Sequence, residues 1–330
     1  MIDRRRFVAG MAAAVLATPR QASAQRPGRV YRVGVLRPTT RYEDDELLAP
    51  LLPRALREEG YVEGQNLSLV QRFADNKVDR LPALARELVA ERVDLIFVIT
   101  SGAARAAKEA TSTVPIVFYG NFDPIAIGLV KSLAQPGGNM TGILIAPDGT
   151  LAAKRMELLK QAVPGTKKIA VLFPEDINTM NQQRPEAVKA ARELRVELVF
   201  ETVRNRDYAD AFARVAASRP DSLFLTANTY FVLDRKPIIE LAAKYRLPAI
   251  YEWPEQVEEG GLMSYGPASL AATYRRIAEK IDKVLEGANP GDLPVEQSSK
   301  LELVINLKTA KAIGLSIPPS LLQRADRVIE

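Results

Sequence analysis

The segment RVDLIFVITSGAA, residues 92–104, returns in altered form as RPDSLFLTANTYF at residues 219–231. It is one of several paired segments. YRVGVLRPTT (31–40) is answered by KKIAVLFPED (167–176), and VPIVFYGNFDP (114–124) by LPAIYEWPE (247–255). A helical stretch, Asp45–Glu59, followed by LSLVQRF has its counterpart in Arg184–Leu194 followed by VELVFETV. A chain that runs twice through the same strand and helix grammar is constrained to two similar units, each burying its own sheet. The strands are Val-, Ile- and Phe-rich with little alternation, as parallel strands covered on both faces must be. The expected fold class is therefore α/β: two doubly wound Rossmann-like lobes with a hinge and an interlobe cleft.

Periodicity places further helices at Leu81–Glu91, Ala103–Ala110 and Ile125–Leu133 in the first unit. A turn cluster, QPGGNMTG (135–142), then separates the two units. A helix at Leu270–Leu285, a linker EGANPGDLP and the tail from Leu301 remain once both units are complete. Neither sheet needs them in sequence order, so the chain is expected to recross. The expected division is residues 29–143 plus about 265–297 in the first lobe, and 144–264 plus about 298–330 in the second.

The 330 residues, 47% of them hydrophobic, suffice for two cores. Cysteine and histidine are both absent, which removes disulfides, thiolate nucleophiles, Cys/His zinc sites and any imidazole base. No G-x-G-x-x-G, Walker A or G-x-S-x-G pattern occurs. No cofactor or metal is expected, and the chain does not read as an enzyme. What remains for catalysis is a carboxylate pair such as Asp123 and Glu252, which would fall on opposite lobes.

The first residues, MIDRRRFVAGMAAAVLATPRQASAQ, have a basic start, a short apolar stretch and an Ala-x-Ala site, the form of an export signal cut after Ala24. Arg4 and Arg5 resemble a twin-arginine signal, although Asp3 stands where Ser or Thr is usual; a basic Sec signal is the alternative. Cleavage would reduce 45 basic and 40 acidic residues to 41 and 39. The mature part has no basic block interleaved with aromatics, so no nucleic-acid partner is expected.

Open α/β sheets bind ligands beyond the carboxyl ends of their strands. The candidate ligand-binding residues are those that the repeat places there. In the first lobe they are Thr39, Thr40 and Tyr42 after the first strand, Ser101 and Gly102 after the third, and Asn121 and Asp123 after the fourth. Ser101 and Gly102 open a helix, where they could present a hydroxyl and amides to a carboxylate or simply cap the turn. Asp123-Pro124 likewise has the form of an N-cap with proline at N1. In the second lobe the candidates are Asp176 and Asn178, then Asn228 and Tyr230, then Glu252 and Trp253. Trp253 is the chain's only tryptophan and could stack on a ligand or pack between lobes.

Two stretches carry a family resemblance over about Arg29–Glu330: VPIVFYGNFDPIAIGLVKSLAQPGGNMTG and LELVINLKTAKAIGLSIPPSLLQRADRVIE. Their patterns, DP-x-x-x-GLV-x-SLA-x-PGGN-x-TG and NLKTAKAIGL-x-IPPSLL-x-RAD, resemble the ABC-transporter substrate-binding proteins that include tryptophan-binding TrpX-like members. The resemblance implies a type I periplasmic-binding fold, with ligand-facing loops at Ser101 and Asn121-Phe122-Asp123 and second-lobe groups near Asn228 and Trp253. Phe122 departs from the small residue usual before Asp-Pro. The implied function is capture of a small polar solute, an amino acid or amide among the candidates, and its delivery to an ABC permease with its ATPase. A monomer touching the membrane only through that permease is expected. A ligand-sensing module of the same fold and an exported carboxylate enzyme are the alternatives.

Overall fold

The computed structural model describes residues 28–42, 44–145, 150–175, 177–298 and 300–330. The export segment with its cleavage site, Asp176, and the side chain of Asn178 lie outside what is described. The first unit contributes β1 (Tyr31–Arg37), β2 (Leu67–Phe73), β3 (Leu95–Ile99), β4 (Ile116–Gly120) and β5 (Met140–Leu144). The second contributes β6 (Lys168–Pro174), β7 (Glu197–Val203), β8 (Ser222–Leu225), β9 (Ala249–Tyr251) and β10 (Met263–Pro267). The tail adds β11 (Glu296–Gln297), β12 (Leu301–Asn306) and β13 (Arg327–Ile329).

These strands make two sheets, ordered β11-β5-β4-β3-β1-β2 and β13-β12-β10-β9-β8-β6-β7. Every pairing is parallel except β10 with β12. Both faces of each sheet are buried. In β1, Val33 and Val35 enter one apolar cluster while Leu36 enters another on the opposite face. This period of two, with both faces covered, explains why the strands read as unbroken apolar runs.

The chain changes sheet three times. It leaves the first after β5, returns after β10 through helix Leu270–Leu285, and leaves again after β11. That helix packs on helix Leu51–Glu58 and sends Tyr274, Ile277 and Ile281 into the cluster beneath β1, β3 and β4. Its N-cap, Ser269, accepts from the amide of Ala272 at 3.0 Å, which anchors its start near the crossing.

Four expected elements come out differently, the simplest being the helix expected at Arg184–Leu194, which already begins at Ile177. The helix expected at Asp45–Glu59 forms only over Leu51–Glu58, because Asp45 uses its Oδ1 to accept from the amides of Leu47 and Leu48 in a preceding turn. The helix expected at Ile125–Leu133 does not form. The amides of Leu129 and Val130 both point to the Pro124 carbonyl, and Gly128, at φ +71°, breaks the right-handed run. The supposed turn cluster at 135–142 already contains the start of β5, whose Gly142 lies so close to β4 that an added Cβ would meet the Phe118 carbonyl oxygen at 2.3 Å.

Candidate functional site

The carboxyl ends of β1, β3 and β4 face those of β6, β8 and β9 across a cavity of about 700 Å³. On the first-lobe side the chain leaves β3 through Thr100, at φ +85°, and enters helix Ser101–Ala110 without a side-chain cap bond. Ser101 and Gly102 therefore line the cavity at an amide-bearing helix start. Beside them stand Thr39 and Tyr42 from the loop after β1, and Tyr119, Asn121 and Phe122 from the end of β4. Phe122 is 5% exposed and packs on Phe118 at 5.6 Å, directly over Gly120, where an added Cβ would meet its ring at 2.7 Å. The bulky residue is thus accommodated by the glycine two positions earlier.

Tyr119 is buried, and its hydroxyl has no hydrogen-bond partner. Burial, together with the nearby Glu252 carboxylate and Tyr274, raises its pKa well above the ordinary phenol value, so it stays a neutral donor. Tyr274 lies 6.2 Å from Tyr119, ring to ring, and also lines the cavity.

The second-lobe wall is built from groups that already hold one another. Arg155 donates to Glu252 at 3.3 Å and to the Tyr265 carbonyl at 2.7 Å, and both members of the ion pair are buried. Burial lowers the Arg155 pKa while Glu252 works against that shift. Asn228 accepts from the Tyr230 amide at 2.8 Å, capping helix Thr229–Leu233. Gln183 makes paired 2.8 Å bonds to the backbone of Ala227. Arg206 donates to Asp234 at 2.8 Å and lies over the Tyr230 ring at 5.5 Å, while the Tyr208 hydroxyl donates to the same carboxylate at 2.5 Å.

The lobes meet along one edge of the cavity. Arg235 donates to Asp45 of the first lobe at 3.0 Å and to Glu259 at 2.8 Å. Val232 and Trp253 from the second lobe join the first lobe's cluster with Leu48 and Leu51. Trp253 both lines the cavity and packs between lobes, at 3% exposure.

Of the candidates from sequence, Thr39, Tyr42, Ser101, Gly102 and Asn121 come together on one wall, and Asn228, Tyr230, Glu252 and Trp253 on the other. Thr40 does not line the cavity. Asp123 also lies off it: it is exposed, and its Oδ1 accepts from the amides of Ile125 and Ala126 at 2.9 and 3.0 Å. Its cap role is therefore the one observed, in a turn and not at a helix. Sequence reasoning missed Tyr119, Arg206, Phe231 and Tyr274. Tyr119 ends an apolar strand and could have been taken with Asn121, whereas Tyr274 reaches the cavity from a helix far along the chain. No group of three or more metal-ligating carboxylates occurs among the described residues. No helix among them is long and apolar enough to cross a membrane.

Two largely parallel sheets with carboxyl edges facing across a lined cavity make an architecture for enclosing a solute. The sequence model for ABC transporter substrate binding proteins matches residues 51–329. This chain belongs to that family. The ABC transporter substrate-binding protein described here is 28% identical over 266 residues to a tyrosine-binding protein of Clostridioides difficile, covering 79% of this chain and 75% of the relative. Among solved structures it resembles a conserved domain protein from Vibrio cholerae, with TM-score 0.77 and 27% identity, covering 91% of this chain and 100% of that one. It also resembles an ABC domain from Streptococcus pneumonia in complex with L-Trp, with TM-score 0.76, 26% identity and the same coverage. The architecture is that of the type I periplasmic binding proteins.

Proposed function

We propose that this substrate-binding protein captures an aromatic amino acid between its lobes, outside the cytoplasm, and delivers it to an ABC permease with its ATPase. The observation that carries the reading is the lining. Eight aromatic residues face the cavity, out of ten Phe, ten Tyr and one Trp in the whole chain. Flat apolar rings beside a few polar groups suit a ligand with an aromatic body and polar ends. The tyrosine-binding relative and the L-Trp complex point the same way. The polar candidates in the sequence favour a small polar solute, and the aromatic lining favours, among such solutes, an amino acid with a ring.

Closure follows from the two walls. A ligand touching Tyr119 on one side and Trp253 or Tyr230 on the other stabilises the closed arrangement over an open one by its differential contacts. The Asp45–Arg235 contact then forms at the rim. Export with cleavage after Ala24, by the twin-arginine or Sec route, is part of this proposal, as is action as a monomer without a cofactor.

The test is a thermal-shift screen of the mature protein with the proteinogenic amino acids, followed by calorimetry on those that act. Ligand at about 100 times its Kd adds roughly 2.7 kcal/mol to folding stability. L-tyrosine or L-tryptophan should raise Tm and be recovered unchanged. No response to any aromatic amino acid, or its conversion to a product, would sink the reading.

A further inference from the structure

Among the described residues four cations are more than nine-tenths buried: Arg37, Arg155, Arg235 and Lys280. Three of them have carboxylates close by. Arg155 has Glu252 at 3.3 Å, Arg235 has Asp45 and Glu259 at 3.0 and 2.8 Å, and Lys280 has Glu296 at 2.9 Å. Arg37 has none. Its Nε and Nη1 lack any hydrogen-bond partner. The groups against its guanidinium are the ring of Tyr42, 4.6 Å away, and the hydroxyl of Tyr274. Burial pulls its pKa down with only Tyr274 opposing that shift. A buried charge without a counter-charge is among the most costly arrangements a fold can hold.

Its position gives the arrangement a use. Arg37 ends β1, and Thr39, Tyr42 and Tyr274 around it all line the cavity. Two further buried polar atoms on this wall are unpartnered, the Thr39 Oγ1 and the Tyr119 hydroxyl. The strand register aligns Arg37 with Tyr119. Leu36 pairs with Val98 and Ile99 with Tyr119, so Arg37, Ile99 and Tyr119 form one row across β1, β3 and β4. That row faces helix Leu270–Leu285, as the shared cluster of Ile99, Tyr119 and Tyr274 shows.

We propose that Arg37 anchors a carboxylate of the ligand, with the hydroxyls of Thr39 and Tyr119 donating beside it and the Tyr42 ring moving aside to admit it. The inference rests on the cavity being the ligand site, and it assigns the acid end of the ligand to the first lobe. The aromatic body then lies toward Trp253 and Tyr230. A cation held in waiting under a ring gains its counter-charge only when the right ligand arrives, which makes the carboxylate a requirement for tight binding and not an accessory.

The test uses L-tyrosine, its deaminated acid hydroxyphenylpropionate, and its decarboxylated amine tyramine, titrated into wild type and Arg37→Gln by calorimetry, with Tm of the free proteins measured alongside. Wild type should bind both acids and discriminate strongly against tyramine. Arg37→Gln should lose roughly 30-fold or more in affinity for both acids while its weak response to tyramine stays the same. Its free Tm should not fall, because an uncompensated charge has been removed; a Tm loss with the acid preference intact would make Arg37 structural and overturn the inference. Thr39→Val and Tyr119→Phe, each removing one hydroxyl, should cost the acids roughly fivefold and serve if Arg37→Gln does not fold. Binding of tyrosine that is indifferent to all three variants overturns the anchor and leaves the proposed function standing. Arg37-dependent binding of hydroxyphenylpropionate without binding of tyrosine keeps the anchor and overturns the amino-acid reading. No binding of either acid overturns both.

Discussion

The two walls of the cavity are built on the same plan and finished differently. On the second lobe nearly every polar side chain at the cavity already has a partner in its own wall: Glu252 has Arg155, Arg206 has Asp234, Gln183 has Ala227. On the first lobe Thr39, Tyr119 and the underlying Arg37 keep unpartnered atoms under a sheet of rings. A satisfied wall is rigid and holds shape; an unsatisfied one is completed by what binds. The difference teaches that polarity alone is a poor guide to ligand contact, because the more polar wall is the one that asks for less.

Removing one member of a satisfied pair should have the largest effect. Arg155→Met leaves the Glu252 carboxylate buried without its counter-charge and should cost about 3–5 kcal/mol of folding stability in urea unfolding. A loss under 1 kcal/mol would mean that the second wall is not held by this pair. Next comes the seam. Asp45→Asn keeps the Oδ1 that serves Leu47 and Leu48 but removes the charge facing Arg235, and ligand affinity should fall by about 1 kcal/mol as the closed fraction falls. Unchanged affinity would show that the rim contact does not bias closure.

Asp123→Ala sharpens the contrast from outside the cavity. It removes an exposed turn cap worth about 0.5 kcal/mol, and affinity should be untouched. A drop in affinity would return Asp123 to the site. The smallest effect concerns Glu255, whose Oε1 accepts from the Leu270 amide where the chain crosses between sheets. Burial raises its pKa, so the folded state holds the proton more tightly than the unfolded one. Its stabilising contribution is therefore present below the ordinary carboxylate range and is lost as pH rises through the folded value. Glu255→Gln should flatten the fall of Tm with pH over that window; an identical slope would remove the group from the account.

Much of the fold was legible because parallel strands advertise themselves. The expected LSLVQRF strand is β2 to the residue, and helix Leu270–Leu285 has the expected bounds. Ile125–Leu133 reads as a helix because its apolar spacing imitates one, while Gly128, which breaks it, weighs little in a periodicity argument. β5 hides inside a Gly- and Asn-rich stretch in which Gly137 and Gly138, at positive φ, do turn the chain but Gly142 serves close strand packing. Loops at strand ends could be named from the repeat, so nine of the candidates fall on the cavity. Arg37 could not: within β1 it reads as an ordinary strand-ending arginine, and its burial depends on Tyr274, more than two hundred residues later.

The central claim is that the ligand lies between the sheets, with its acid end on the first lobe and its ring against the second. A crystal structure of the mature protein grown with L-tyrosine addresses it directly. The ligand is expected in the cavity, with its carboxylate within hydrogen-bond distance of Arg37 and Thr39 and its ring against Trp253 or Tyr230. A tyrosine bound elsewhere, or bound with its carboxylate on the second lobe and Arg37 still unpartnered, would contradict it.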